Sequence, residues 1–203
     1  MENKDWFKYE KEAAADGFRT VCGVDEAGRG PLAGPVFVAA VILPYGKMIE
    51  GLNDSKKISE KKREALFDEI IRTAEAYSIC SVDEKTIDEI NILEATKLGM
   101  RNAVASLVIK PDAALIDGNQ KPGLQIEERT IIKGDSLSAS IAAASILAKV
   151  SRDRFMLDLD KNYPEYQFAK HKGYGTKLHY EIIDKYGISP VHRVTFLKKY
   201  FSK

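Results

Sequence analysis

The chain has 203 residues, of which 44% are hydrophobic and 30% charged, and its formal net charge is +1. That length and apolar content suit one domain with a real core and exclude a disordered or fibrous chain. No run approaches the roughly 18 apolar residues of a membrane span, and the charged start Met1-Glu2-Asn3-Lys4-Asp5-Trp6 has no apolar signal core, so a soluble, cytoplasmic protein is expected.

Residues 4–16 read as a short lead-in helix and Phe18 to Val24 as a strand. The segment Glu26 to Pro35 holds three glycines and two prolines and must form a turn of special geometry. Pro35 to Leu43 is a continuous apolar run of strand length, as expected for a strand buried on both faces. Ser59 can cap a helix through about Ala76, followed by a strand from Tyr77 to Val82. Glu84 to Leu107 is helical with a break near Asn91. Ala113 to Asp117 is a short buried strand that ends in a turn, and Arg129 to Lys133 is a further strand. Ser138 to Asn162 forms a long helix whose first half is rich in small residues, which permits close packing on a sheet. One or two short helices close the chain after Pro164, and no internal repeat, low-complexity tract or long linker interrupts it.

Strands that cluster early and then alternate with helices define an α/β class with a mixed β-sheet flanked by helices. The strands that hold Val24 and Ile116 are expected side by side in its centre. A division into a lead-in (1–17), a core (18–160) and a C-terminal helical subdomain (161–203) follows. From Lys149 to Lys203 there are twelve Lys and Arg against six Asp and Glu, whereas the rest of the chain carries 19 against 24. A basic end on an acidic chain suits contact with nucleic acid, although a solvated helical face would carry the same charges.

Four acids stand at element ends beside glycine: Asp25, Glu26, Asp117 in Ile-Asp-Gly-Asn and Asp135 in Lys-Gly-Asp-Ser. Hard oxygen ligands suit Mg2+ or Mn2+, and the two cysteines, Cys22 and Cys80, lack the spacing of a zinc site or a disulfide framework. Two such ions about 3.5–4 Å apart activate a water and stabilise the leaving oxygen of an in-line displacement. Neighbouring strand residues point to opposite faces, so Asp25 and Glu26 reach one site only if the chain leaves strand geometry at Glu26. Acids at strand ends also cap turns and helices. For Asp135, capping of the following helix is a competing role that Ser136 or Ser138 could take instead.

The wording Gly23-Val24-Asp25-Glu26-Ala27-Gly28-Arg29-Gly30-Pro31 resembles the signature of the type 2 ribonucleases H, and specifically ribonuclease HII. Further segments match that family in order. These are Asn53-Asp54-Ser55-Lys56-Lys57, the two later aspartates, the helix from Ser140 to Asp153 and His171-Lys172-Gly173-Tyr174-Gly175-Thr176. The resemblance implies a ribonuclease H-like fold and metal ligands at Asp25, Glu26, Asp117 and Asp135, with two ions of Mg2+ or Mn2+. It also implies cleavage of the phosphodiester on the 5′ side of a ribonucleotide, in RNA–DNA hybrids or in DNA with embedded ribonucleotides. The related ribonuclease HIII group usually carries an extra N-terminal domain, for which residues 1–17 leave no room, and commonly has Glu in place of Asp135.

Such an enzyme must sense a 2′-hydroxyl, the group that separates RNA from DNA. Gly28-Arg29-Gly30 can present backbone groups to it, and the resemblance implies that role. The competing reading is a glycine-rich turn with Arg29 paired to a core-edge acid. Tyr174, between two glycines, is implied by the family to pack on the sugar beside the junction, and Lys56, Lys149, His171 and Lys172 are candidate phosphate contacts. His192 and Arg193 have no assigned role. The end of the chain, Thr195 to Phe201, only loosely resembles a sliding-clamp docking peptide, because no glutamine precedes its apolar residues. A monomer is expected. A junction resolvase on a similar fold would not depend on the 2′-hydroxyl, and a silent hybrid-binding module would have lost at least one of the acids.

Overall fold

The structure, a computed structural model, describes residues 5–52, 55 and 58–202. Five strands form one sheet in the order β3-β2-β1-β4-β5. They are β1 (Val21–Ala27), β2 (Val36–Ile42), β3 (Ala76–Val82), β4 (Ala113–Asp117) and β5 (Glu127–Ile131). The first three pair antiparallel, while β1–β4 and β4–β5 are parallel, so the sheet is mixed. Val24 lies opposite Ile116 in the central parallel pair, as their apolar character requires.

Each face of the sheet is covered by a long helix. On one side lies α4 (Ala139–Asn162), whose Ala142, Ala143, Ala144, Ile146 and Leu147 are fully buried against β1 and β2. Beyond it pack α1 (Lys8–Ala15) and α2 (Glu60–Thr73), the latter through Leu66, Phe67 and Ile70. The opposite face carries α3 (Glu84–Ser106), with Met100, Ala103 and Val104 on Cys22, Val24 and Ile116. Burial pushes the Cys22 thiol up to about 12, so it packs as a small apolar group.

The start of α4 is fixed by polar contacts. Ser138 caps it by accepting from the Ile141 N–H at 3.2 Å. The buried Glu10 carboxylate of α1 accepts from Ser138 Oγ, Ser140 Oγ and the Ser140 N–H, which suits an anion at a helix N-terminus. Ser138 therefore takes the capping role for which Asp135 was a competitor. Asn91 has φ 66° inside α3 and its side chain accepts from the N–H groups of Leu93 and Glu94, so it breaks the helix and caps the second half.

Several boundaries differ from the sequence reading, among them the start of β1, which is Val21 rather than Phe18. Strand β1 continues through Glu26 and Ala27, because both residues keep antiparallel partners, Val38 and Phe37, on β2. Helix α2 ends at Thr73, and β5 begins at Glu127 because it pairs with the whole of β4. The C-terminal helices α5 (Phe168–His171), α6 (Lys177–Tyr186) and α7 (Val194–Phe201) return to the core. There the segment Leu32–Gly34 lies between two tail segments: Leu32 N–H donates to Gly173 O, Gly34 N–H to Val191 O, and Leu32 O accepts from Arg193 N–H. No helix among the described residues is long and apolar enough to cross a membrane.

Gly23 sets the distance between α4 and the sheet. A Cβ there would lie 2.1 Å from the Ser140 carbonyl carbon and 2.3 Å from the Ile141 nitrogen, both backbone atoms that cannot step aside. Gly23→Ala is expected to destabilise the protein by about 1–3 kcal/mol through overpacking. Urea unfolding checks this, and an unchanged midpoint would refute the close-approach argument.

Candidate active site

Parallel pairing places Asp25 and Asp117 next to each other at the C-terminal ends of β1 and β4, the edge of an α/β sheet where ligands bind. Asp135 follows from a single 3-10 turn, Gly134–Ser136, just before α4. Its N–H donates to Asp117 Oδ1 at 3.4 Å. A Cβ at Gly134 would lie 2.6 Å from Ile141 Cδ1 and 3.3 Å from Asp117 Oδ1, so a side chain there would have to displace the tip of Ile141 and crowd Asp117. Asp25 is buried, and its Oδ1 accepts from the Glu26 N–H at 2.7 Å. Its carboxyl is held well above the usual range, first by burial and then by the charges of Glu26 and Asp117, while hydrogen bonds from the Glu26 N–H and Ser145 oppose the shift.

Glu26 adjoins this grouping from the other side of β1. With β1 regular to Ala27, strand alternation turns Glu26 to the face opposite Asp25, and the expected departure from strand geometry comes two residues later, at Gly28 with φ 99°. The Glu26 carboxylate lies 3.4 Å from Arg29 Nη1, so Arg29 does pair with a core-edge acid. Among the described residues, no three His, Cys, Asp or Glu side chains are drawn around a single point as ion ligands. The donors are nonetheless all hard oxygens, and the crowding that raises the Asp25 carboxyl is the kind a divalent cation relieves. The residues fit such an ion by their chemistry.

Beside the acids opens a cleft of about 440 Å³ lined by Glu26, Gly28, Arg29, Gly30, Lys149 and Tyr174, among others. Tyr174 is 41% exposed at its rim. On the other side of Glu26 and Arg29, a smaller hollow is lined by Asp117, Asn119, Gln120 and Lys97. Lys56 lies outside the described residues. Its neighbour Ser55 is fixed by a 2.8 Å hydrogen bond between its hydroxyl and that of Ser145, the group that also bonds Asp25.

The two other phosphate candidates in the tail are turned to internal tasks. His171 is buried with both ring nitrogens engaged, Nδ1 by the Gly173 N–H and Nε2 by Tyr166 O, so it offers no ring donor to a phosphate. Lys172 Nζ donates to Ala169 O, and the Lys172 carbonyl accepts from Arg152. Lys149 forms a 2.7 Å ion pair with Asp153.

Sequence reasoning missed the groups that hold the cleft wall. Arg193, fully buried, donates to the carbonyls of Gly28, Arg29 and Gly34. Arg152, also fully buried, donates to the carbonyls of Ala33, Pro35 and Lys172. A Cβ at Gly28 would lie 2.1 Å from Arg152 Nε. The turn Gly28–Pro35 is thus built around two guanidiniums, whose rigid forks supply several donors each. Arg152 lies in the charged second half of α4, beside Asp153 and Arg154, where nothing local sets it apart.

The family model for ribonuclease HII matches residues 22–201. The chain belongs to the ribonuclease HII family. A ribonuclease HII of Caldicellulosiruptor bescii is 56% identical over 99% of this chain and 98% of its own length. One of Acetivibrio thermocellus is 58% identical over 95% of this chain and 75% of its own. The crystal structure of the ribonuclease H2 of Pyrococcus horikoshii OT3 superposes with a TM-score of 0.74 at 31% identity, over 91% of this chain and all of that one. Membership of the ribonuclease HII family makes the chain a metal-dependent hydrolase, an endonuclease of the ribonuclease H type.

All three histidines are buried in the ribonuclease HII tail. Burial, and then the charge of the neighbouring histidine, hold His179 and His192 at about 4, below the ordinary 6.5. An unfolded chain protonates these rings near pH 6.5 and the native one only near 4, so the unfolded state binds more protons in between. Stability from these groups is therefore constant above about pH 7 and falls as the pH drops from about 6.5 toward 4. Asp25, raised rather than lowered, acts with the opposite sign in acid, so a variant comparison isolates the histidines. The urea midpoint of His192→Asn is expected to fall less than that of the wild type between pH 7.5 and 5. Equal falls would refute the assignment.

Proposed function

We propose that this chain hydrolyses the phosphodiester on the 5′ side of a ribonucleotide, in RNA–DNA hybrid or in duplex DNA with embedded ribonucleotides, and leaves 3′-hydroxyl and 5′-phosphate ends. The observation that carries the reading is the placement of the Gly28-Arg29-Gly30 turn and Tyr174 on one cleft wall next to Glu26, with Asp25 and Asp117 at the adjoining strand ends. Asp25, Glu26, Asp117 and Asp135 would hold two ions of Mg2+ or Mn2+. Bound there, the ions supply an activated water and charge stabilisation at the leaving oxygen.

The residues of the chain do the rest. Arg193 and Arg152 hold the turn by its inward carbonyls, so that the N–H groups of residues 28–30 meet a 2′-hydroxyl without rearrangement. A Cβ at Gly30 would meet a Tyr174 ring carbon at 3.9 Å, an ordinary contact, so the turn and the ring form one continuous surface for a sugar to lie on. Ser145 orients Asp25. Arg29 keeps Glu26 at the cleft mouth until the substrate phosphate competes for the guanidinium. Lys56 and, by exchanging Ala169 O for a phosphate, Lys172 supply positive charge along the duplex backbone, and residues 161–203 form the lobe that grips it, with 18–160 as the catalytic core and 1–17 as the lead-in. Docking on a sliding clamp through Thr195–Phe201 would have to unfold α7, because Leu197 is fully buried and Tyr200 packs on Tyr180.

The experiment uses one duplex sequence in three versions, with ribose, deoxyribose or 2′-O-methyl ribose at a single position. A site built to hydrogen-bond a substrate hydroxyl rejects the analogue without it by about 10⁴–10⁵-fold, so only the ribose version is expected to be cut. Comparable cutting of the deoxy version would overturn the reading in favour of a general metal nuclease. Asp117→Asn is expected to abolish turnover in Mg2+ while duplex binding persists. Activity within about tenfold of wild type, a barrier change of only about 1.4 kcal/mol, would refute the role of Asp117.

A further inference from the structure

The three histidines form a row, with His179 between His171 and His192. The rings of His171 and His179 stack with centroids 4.1 Å apart, and His179 Nε2 lies 3.0 Å from His192 Nε2. Donor counting fixes every proton in this group. The Ser189 N–H donates to His192 Nδ1 at 3.0 Å, so the His192 proton sits on Nε2 and is given to His179 Nε2. His179 must then carry its own proton on Nδ1, and it donates to the Tyr174 carbonyl at 2.9 Å. The bonds therefore run in one direction, Ser189 to His192 to His179 to Tyr174.

The far end of this chain meets a glycine-flanked part of the backbone. Tyr174 stands between Gly173, at φ 82°, and Gly175, so its main chain has soft torsions on both sides. Its N–H donates to His171 O, and its carbonyl accepts from both Thr176 N–H and His179. Apolar side chains would fill the interior among Tyr166 and Phe168 at lower desolvation cost than three imidazoles. Aimed bonds are what the imidazoles add.

We infer that His179 and His192 are positioning residues for Tyr174, and that their relay holds the Tyr174 ring where it meets the sugar beside the scissile ribonucleotide. The inference rests on the proposed substrate contact of Tyr174. The relay also transmits an orientation from Ser189, in the loop before α7, to the cleft rim, so two distant parts of the tail set one ring.

The test measures kcat/KM on a duplex with a single ribonucleotide, in Mg2+ and well below the melting temperature of every variant. His179→Asn places an amide N–H where Nδ1 was, and loses the bond from His192 and the ring contacts with His171 and Phe168. It is expected to melt lower than the wild type yet keep cleavage within about threefold. His179→Leu removes the bond to Tyr174 and is expected to lose roughly tenfold, the upper range for one hydrogen bond. In a Tyr174→Ala background the same Leu substitution should cost no more than about twofold, since the ring it positions is gone.

A residue that only supports the fold gives another pattern. Cleavage then follows melting temperature, so that His179→Asn loses as much as His179→Leu, or the His179→Leu loss multiplies fully with Tyr174→Ala. Either result overturns the inference. Should His179→Leu not fold, His192→Asn serves in the same cycle: it keeps an acceptor for Ser189 but drops the donor to His179. It is expected to lose several-fold alone and nothing further beside Tyr174→Ala. If Tyr174→Ala itself cleaves like the wild type, the substrate contact fails and the relay with it. If Tyr174→Ala is impaired while the histidine variants with lost donors are not, the contact stands and the relay is overturned.

Discussion

The contact of α4 with β1 is the constraint from which the rest follows. Gly23 lets the Ser140–Ile141 backbone sit against the strand, and the run of alanines after it keeps the helix close along the sheet. At that spacing Ser145 reaches Asp25, and about two turns on Arg152 passes beneath the turn that follows β1. A helix held farther out by larger residues would bury as much apolar surface and still leave both side chains short of their partners. Close approach here serves the site before it serves stability, and it explains why so long a helix starts with such small residues.

The second layer of organisation is the pair of buried guanidiniums. Neither has a carboxylate within ion-pair distance among the described residues, and burial lowers the pKa of both, with only more distant charges such as Glu84 opposing the shift. Each instead spends its donors on main-chain carbonyls, which gives the turn a defined shape at the expense of desolvating a cation. Glycines at 28 and 34 make the arrangement sterically permissible, since a side chain at either would strike Arg152 or Met156.

Much of this was legible in the sequence, and the legible part has a pattern. Elements marked by apolar runs and caps, such as β2, β4, the Ser138 cap and the Asn91 break, lie where local chemistry puts them. The adjacency of the strands bearing Asp25 and Asp117 follows from their central, two-sided burial. What local chemistry could not give was set by partners far away in the chain. Strand β1 continues through Glu26 because β2 offers it partners, and His171 is occupied internally because the tail folds around it. Arg193 sits beside a proline-containing loop with no neighbouring signal of its own, and its role appears only when Gly28 and Arg29 are brought to it.

That last contact has a consequence for how the molecule comes into being. Arg193 reaches Gly28 and Arg29 across 165 and 164 residues of chain, and Ala33 bridges to His192. Contacts of such sequence separation form late, since the loop they close must first be ordered. During synthesis the acidic strand ends can assemble once α4 has emerged, but the turn beside them has no fixed shape until the final dozen residues arrive. A growing chain therefore passes through a stage in which its acids are in place while the turn beside them is still unshaped, and the late contact of Arg193 ends that stage.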